Sequence, residues 1–491
     1  MKRATPALVP RVNGTFPLAP GGAAEFTAGP ARALSYAQSR QQNSLAELIQ
    51  FARFPSISAD LGHAQDVVAC AQWLAARLRS AGLHRVGVVP TRGHPVVTGE
   101  WRNAPGRPTV LVYGHYDVQP PGPTAQWETP PFTPLLRGGN LHGRGTADDK
   151  GPILAHVTAI ESYLRATGRL PVNVVCVFEG EEEIGGPHLA AFLAGFAPAR
   201  AADVAVVSDT PMRRAGVPAL MTGLRGVLTA RLRVRRPGRD LHAGHFGGAV
   251  PNPVEAACAI VAGLHDRAGR VTIPGFYDRV LPVTMGERAR ARRVAPTDAE
   301  ILRAAGGPAG WGERGFSLYE RATMRPALVV NGIGGGGVGH AARAVIPAEA
   351  VVELNLRLVP RQRPQEVAGL LRAWLARTIA QEVPPGVRVT ATFGAQVPPV
   401  LIPAGHPAMA AAARALKSTF GATPVLMRSG GSISAVASLN ELGIPLVLMG
   451  YSLPNDRIHA ANERFGLANF QAGIAASILF YAEMARLDGD H

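Results

Sequence analysis

Residues 171–186 read PVNVVCVFEGEEEIGG. The first eight are apolar except for Asn173, with no alternation of wet and dry positions. Such a run predicts a strand buried on both faces, within a sheet that helices cover. Glu181, Glu182 and Glu183 follow directly. Three acids at the C-terminal end of a buried strand repel one another, and a cation or a shared proton relieves that repulsion. A helix N-terminus, where acids complement the dipole, is the structural alternative.

Outward from this stretch, helical and extended patterns alternate. Amphipathic helices are expected over 43–54 and 63–82, then β-rich runs at 84–89, 96–101 and 108–118. A helix over 152–166 leads into the 171–179 strand, and a helix at 187–196 precedes the strand 203-DVAVVSD-209. After Met212 the character changes. Residues 225–236, 252–266, 349–360, 364–380 and 387–394 read β, α, β, α, β, and the first pattern resumes with a helix at 407–419, a strand at 445–451 and a helix at 467–486. The expected fold class is α/β: a mixed-sheet catalytic domain with helices on both faces, 43–214 and 399–491, interrupted by an inserted α+β domain, 215–398. The Pro-, Gly- and Ala-rich residues 1–42 are expected to be a flexible tail, since prolines break every candidate signal-peptide core.

The chain has 491 residues, 47% apolar, enough for two or three domains. No apolar run approaches the roughly 18 residues that span a bilayer, so no membrane role is expected. The net charge of +15 raises the possibility of a nucleic-acid partner, yet only Lys2, Lys150 and Lys417 are lysines. The arginines are scattered outside 231-RLRVRRPGR-239 and 287-ERARARR-293, without interleaved aromatics or a recognisable binding module. Arg231, Arg233 and Arg235 alternate with Leu232 and Val234, the pattern of a strand with one solvated face. A codon-driven preference for arginine on an ordinary surface accounts for the charge, and no nucleic-acid partner is expected. Cys70, Cys176 and Cys258 are odd in number and far apart, which suits reduced, structural thiols in a cytoplasmic protein.

There is no HExxH, nucleophile elbow or phosphate loop. Gly332, Gly334 and Gly337 satisfy GxGxxG, but no helix pattern follows, so the stretch 331–339 reads as a flexible loop. What remains are acids and histidines at strand ends. In 114-GHYDVQPPGP-123, His115 and Asp117 share a strand face. The loop 143-GRGTADDKGP-152 carries Asp148 and Asp149; Asp209 ends another buried strand, and His459 lies in 455-NDRIHAANE-463. Each is weak alone. Together, two histidines and several carboxylates without cysteine point to divalent metal, with zinc foremost and manganese or cobalt as alternatives. The surplus of carboxylates favours two ions sharing one acid.

The segments GHYDVQP, GRGTADDKGP, EGEEEIGG, VSD, DLHAGHFGG and IHAANE, with RLVP (357–360) and RSGGSIS (428–434), resemble in order the zinc aminoacylase, carnosine dipeptidase and glutamate carboxypeptidase metallopeptidases, most of all the dipeptidase branch. The likeness runs from about residue 44 to 485. Departures are Ala147 before the acids, Ser434 where proline is frequent and Ala460 where serine is usual. The resemblance implies a zinc-exopeptidase domain interrupted by a lid and dimerisation domain. It makes His115, Asp148 and Asp209 ligands of one ion, and Asp148, Glu183 and His459 ligands of the other. Glu182 becomes the general base that takes a proton from water and returns it to the leaving amine, while Asp117 orients His115. A cis peptide is expected at Asp148–Asp149. His242, supplied by the neighbouring subunit in dimeric relatives, would stabilise the oxyanion. Arg357, Asn331, Gly431 and Ser432, with His406 as a further candidate, would grip the substrate's carboxylate. The resemblance implies cleavage of dipeptides or short peptides by a homodimer joined through the inserted domain. Two alternatives stay open: an N-acyl-amino-acid amidohydrolase using the same metals, and a non-catalytic basic protein that binds nucleic acid or a protein partner.

Overall fold

The computed structural model describes residues 28–337 and 343–487, and the chain divides into two compact units. One comprises the chain up to Thr222, Ile402–Met427 and the chain from Ser434 onward; the other comprises Gly223–Leu401 and Arg428–Ile433. The chain therefore passes between units four times.

The first unit is built on a six-stranded mixed sheet in the order His84–Val89, Val96–Trp101, Asn173–Glu179, Thr109–His115, Val204–Val207, Leu446–Leu448. The first three are antiparallel neighbours; from Asn173–Glu179 onward every pair is parallel. Side chains of Val174–Glu179 are all buried, as are those of Val110–His115, so both faces of the central strands are covered. One set of mutually packed helices includes Ala64–Ala81, Gly151–Thr167, Pro407–Phe420 and Leu467–Met484; a second includes Leu189–Gly195 and Ser434–Glu441. The helix Gly151–Thr167 has Pro152 in its first turn and Gly168 in the left-handed conformation past its end, which accounts for both its boundaries.

Order begins earlier than the composition suggested. Ala28–Ser39 is a helix that buries Pro30, Ala33, Leu34 and Ala37 against Gly151–Thr167 and Leu467–Met484, so residues 28–42 are not a flexible tail. Small residues hide the signal: alanines pack a face that a hydrophobic pattern built on Leu and Ile would miss. The remainder of that expectation, residues 1–27, lies outside the described residues.

The second unit carries a four-stranded antiparallel sheet, Ala327–Gly335, Glu349–Leu358, Gly226–Arg235, Arg388–Val397 in that order. Leu228, Leu232, Leu354 and Leu356 face the helices Pro253–Ala262 and Pro364–Glu382 across a core that includes Ile260 and Leu371. On the opposite face Arg231 pairs with Glu353, and Arg233 and Arg235 both reach Glu349, the solvated side expected of that alternation. Three helices there, Met285–Val294, Asp298–Ala305 and Leu318–Thr323, were not anticipated; each starts with a reciprocal Ser/Thr–Glu capping box. The glycine-rich stretch is corrected as well, because Asn331–Gly335 pair along Glu349–Leu358 as strand, with a bulge at Asn331; residues 338–342 lie outside the described residues. Tyr319 accepts from the Arg428 amide at 2.8 Å and donates to its carbonyl at 3.0 Å, fastening the 428–433 segment within this unit.

Candidate metal centre

The parallel strands of the first unit bring their carboxyl ends to one side of the sheet, where ligands gather in open α/β folds. His115 closes Thr109–His115, Asp209 lies two residues beyond Val204–Val207, and Glu183 lies four beyond Asn173–Glu179. Close packing at two backbone positions makes this possible. A Cβ on Gly114 would come within 2.6 Å of Asp149 and 2.5 Å of Ile153, and one on Gly450 would strike the carbonyl of Thr210 beside Asp209. Asp148 sits in non-helical backbone inside a helical turn, and the peptide bond to Asp149 is cis, as the resemblance implied.

Donor atoms of His115, Asp148 and Asp209 lie within 4.8 Å of one another, and those of Asp148, Glu183 and His459 do the same. Asp148 belongs to both groups through different oxygens. His115 Nε2 is 2.9 Å from its Oδ1, and His459 Nε2 is 2.9 Å from its Oδ2 and 3.1 Å from Glu183 Oε2. The other ring nitrogen of His115, Nδ1, faces the carbonyl of Asp117 at 3.1 Å and its carboxylate at 3.4 Å. If Nδ1 carries the proton, Nε2 turns a lone pair on a carboxylate oxygen, a repulsive arrangement unless a cation or a second proton lies between.

Electrostatics point the same way. Burial pushes the carboxyl groups of Asp149 and Asp209 well above their ordinary range and Glu182 up to about 8. Asp148 is held well below it despite burial, because His115 and His459 both lie against it. His459 is raised to about 10 by hydrogen bonds to Asp148 and Glu183. Asp149 Oδ1 is buried without a hydrogen-bond partner. A buried excess of acid over base fits divalent cations and is costly without them.

Asp117 does more than face His115. Its carboxylate accepts the amide N–H groups of Glu182 at 3.2 Å and Glu183 at 3.1 Å, so one side chain fixes the turn that presents both glutamates. Gln119 holds Glu183 from the other side through its amide at 3.1 Å and its side chain at 2.9 Å.

The remaining expected residues are not part of this cluster. His406, in the same unit, caps the helix Pro407–Phe420 by accepting from the Ala408 amide at 3.2 Å. His242, Asn331, Arg357, Gly431 and Ser432 belong to the second unit. There Arg357 donates to Ser432 Oγ at 3.4 Å, and Ser432 donates to the Arg225 carbonyl at 2.6 Å. His242 Nδ1 accepts from the Gly244 amide at 3.1 Å, and the side chain is exposed.

Several buried partners of the site carry no signal in the sequence. Tyr113 donates to Glu179, whose carboxyl burial raises to about 8. Glu181 joins His188 at 2.7 Å and accepts from the His94 amide at 3.1 Å. Glu463, the last residue of the IHAANE segment, is also buried. Glu463 closes a loop and ends no apolar run, so no pattern in the sequence singles it out.

A model of peptidase family M20/M25/M40 matches residues 111–482. The chain belongs to this family. Among M20 relatives, the Cys-Gly metallodipeptidase DUG1 of Candida albicans is 30% identical over 444 residues, covering 85% of this chain and 90% of the relative. The crystal structure of human carnosine dipeptidase 1 superposes with a TM-score of 0.84 at 26% identity, covering 94% of this chain and 100% of the other. An M20 metallo-carboxypeptidase from Sulfolobus solfataricus gives 0.82 at 28% identity, covering 90% and 99%. This M20 chain is thus a peptidase by family, with a candidate two-metal site.

Proposed function

We propose that this protein is a two-metal exopeptidase that hydrolyses dipeptides or similarly short peptides. His115, Asp148 and Asp209 would hold one ion, and Asp148, Glu183 and His459 the other, with zinc the expected metal and manganese or cobalt able to replace it. The observation that carries this reading is Asp148, whose two oxygens each lie 2.9 Å from a different histidine Nε2. When bound, such ions polarise the scissile carbonyl and acidify water.

The protein's own groups do the rest. Glu182 is half-buried, its amide is pinned by Asp117, and desolvation raises its carboxyl to about 8. Cations nearby favour its ionised form, so it can take the proton of the attacking water and deliver it to the departing amine. His242 would stabilise the oxyanion, and Arg357, Asn331, Gly431, Ser432 and His406 would receive the substrate's free carboxylate, for which a guanidinium offers paired donors. We place the enzyme in the cytoplasm as a homodimer joined through the inserted unit, consistent with three free cysteines. The names of the relatives, a Cys-Gly dipeptidase and a carnosine dipeptidase, support small peptide substrates.

The deciding experiment measures amino-acid release from a dipeptide panel by metal-stripped protein, with and without added Zn2+ or Mn2+. Metal-restored cleavage of free dipeptides, with N-acetyl amino acids untouched, is expected. Turnover of N-acyl amino acids alone would reassign the protein to the deacylases. No turnover of either class with any metal would overturn the catalytic reading and turn attention to the basic surface.

A further inference from the structure

Glu463 stands four residues after His459, on the same loop, and is 0% exposed. Among the described residues, its side-chain hydrogen bonds all run to the segment that bears Asp148. Oε1 accepts from the amides of Ala147 at 3.0 Å and Asp148 at 3.3 Å; Oε2 accepts from the Gly145 amide at 3.0 Å and from Arg144 Nη1 at 2.7 Å. Its carbonyl takes the Gly143 amide at 2.9 Å. Arg144 is itself 1% exposed, reaches the Pro120 carbonyl at 3.4 Å and lies over the Trp127 ring. Three amides converging on one carboxylate form an anion-binding concavity filled by the protein's own acid. The remaining proposed ligands sit on other segments, so the distance between His459 and Asp148 depends on how these two loops are joined.

We propose that Glu463 is a positioning residue that locks the Asp148 loop to the His459 loop and so fixes the geometry of the Asp148–Glu183–His459 metal site. This rests on the ligand reading given above. A carboxylate is needed because each of its two oxygens accepts two hydrogen bonds. Glutamine in either orientation turns an NH2 group on two of the four donors, and leaves Arg144 buried opposite a neutral group.

The test titrates metal-stripped protein with Zn2+ against a chromophoric chelator, and with Co2+ followed by its visible absorption, for wild type, Glu463→Gln, Arg144→Met and His459→Ala. Wild type should take up two ions. Glu463→Gln should bind one ion within threefold of wild type and the other 10- to 100-fold more weakly, with an altered Co2+ spectrum, as outer-shell partners of metal ligands do. Arg144→Met retains the three amide contacts and should weaken the same ion less; if Glu463→Gln does not fold, this variant carries the test. Two unchanged affinities in folded Glu463→Gln, or in Arg144→Met where it stands alone, would overturn the proposal. So would equal loss at both sites together with a lowered melting temperature of the metal-free protein, which marks a merely structural role. His459→Ala separates the two readings: if it still binds two ions normally, the ligand assignment itself has failed.

Discussion

Glu182 is held at its amide, and no side chain among the described residues hydrogen-bonds its carboxyl, which distinguishes it from its neighbours Glu181 and Glu183, whose carboxylates are both engaged. Replacing it by glutamine keeps the shape and removes the proton acceptor. Glu182→Gln should therefore lower kcat by about 10²- to 10⁴-fold, the usual contribution of a general base. Metal content should stay at the wild-type level, as measured by elemental analysis of the same preparation; loss of metal with activity would make Glu182 a ligand instead. At this scale the sequence was informative in one direction only. The segments bearing His115, Asp148, Glu183, Asp209 and His459 stood out because acids and histidines near the ends of apolar strands are conspicuous, whereas choosing Asp148 over Asp149 and Glu183 over Glu181 and Glu182 took the resemblance to the family. Asp117 was expected to orient His115, but its hold on the Glu182 and Glu183 amides, and the role of Glu463, were not legible, because both carboxylates act on backbone amides and no residue type marks an amide as a partner.

Among the elements, the helix Gly151–Thr167 carries a testable polar defect. His156 is fully buried between the hydroxyls of Tyr481 at 3.1 Å and Ser208 at 2.8 Å, and burial depresses its ring to about 3. An unfolded chain protonates that histidine below about pH 6.5. Between about pH 3 and 6.5 the unfolded state thus binds the extra proton, so this group's contribution is complete above 6.5 and is lost as pH falls. His156→Gln should flatten the rise of unfolding free energy across pH 4.5–6 by about 1.4 kcal/mol per pH unit relative to wild type, in urea titrations at each pH. Parallel slopes would mean the ring is already protonated in the fold. A second expectation concerns Asp298–Ala305, where Thr297 and Glu300 cap each other reciprocally. Thr297→Ala should cost about 1 kcal/mol of stability, read as a lowered denaturant midpoint. That helix could have been anticipated from TDAE at 297–300, as its companions could from TMGE and SLYE. Composition masked them: the first is dominated by arginine and offers almost no apolar stripe. The alanine-faced helix Ala28–Ser39 escaped for a related reason, since its buried face carries only one large side chain, Leu34.

For the molecule as a whole, the α/β frame was legible because a strand buried on both faces cannot alternate, and the inserted unit was legible because its strands do. Two units with separate cores also predict distinct responses to metal. Ligand binding stabilises the folded state by about 2.7 kcal/mol when the free ligand is at 100 times its dissociation constant. Calorimetry of stripped and zinc-loaded protein should therefore show one transition moving up with metal and another left in place. A uniform shift of a single transition would show that the units unfold as one. The segment Arg428–Ile433 sets a boundary on modularity. Its backbone is grasped by Tyr319 and by Arg225, yet some twenty-six residues of the other unit, Ile402–Met427, precede it in the chain. A gene fragment encoding 223–401 would yield a module lacking a piece it is shaped to hold. Recombination at those two junctions would deliver an incomplete domain, so exchange between related enzymes must carry the C-terminal piece as well, and the two halves of the sequence are inherited as a set.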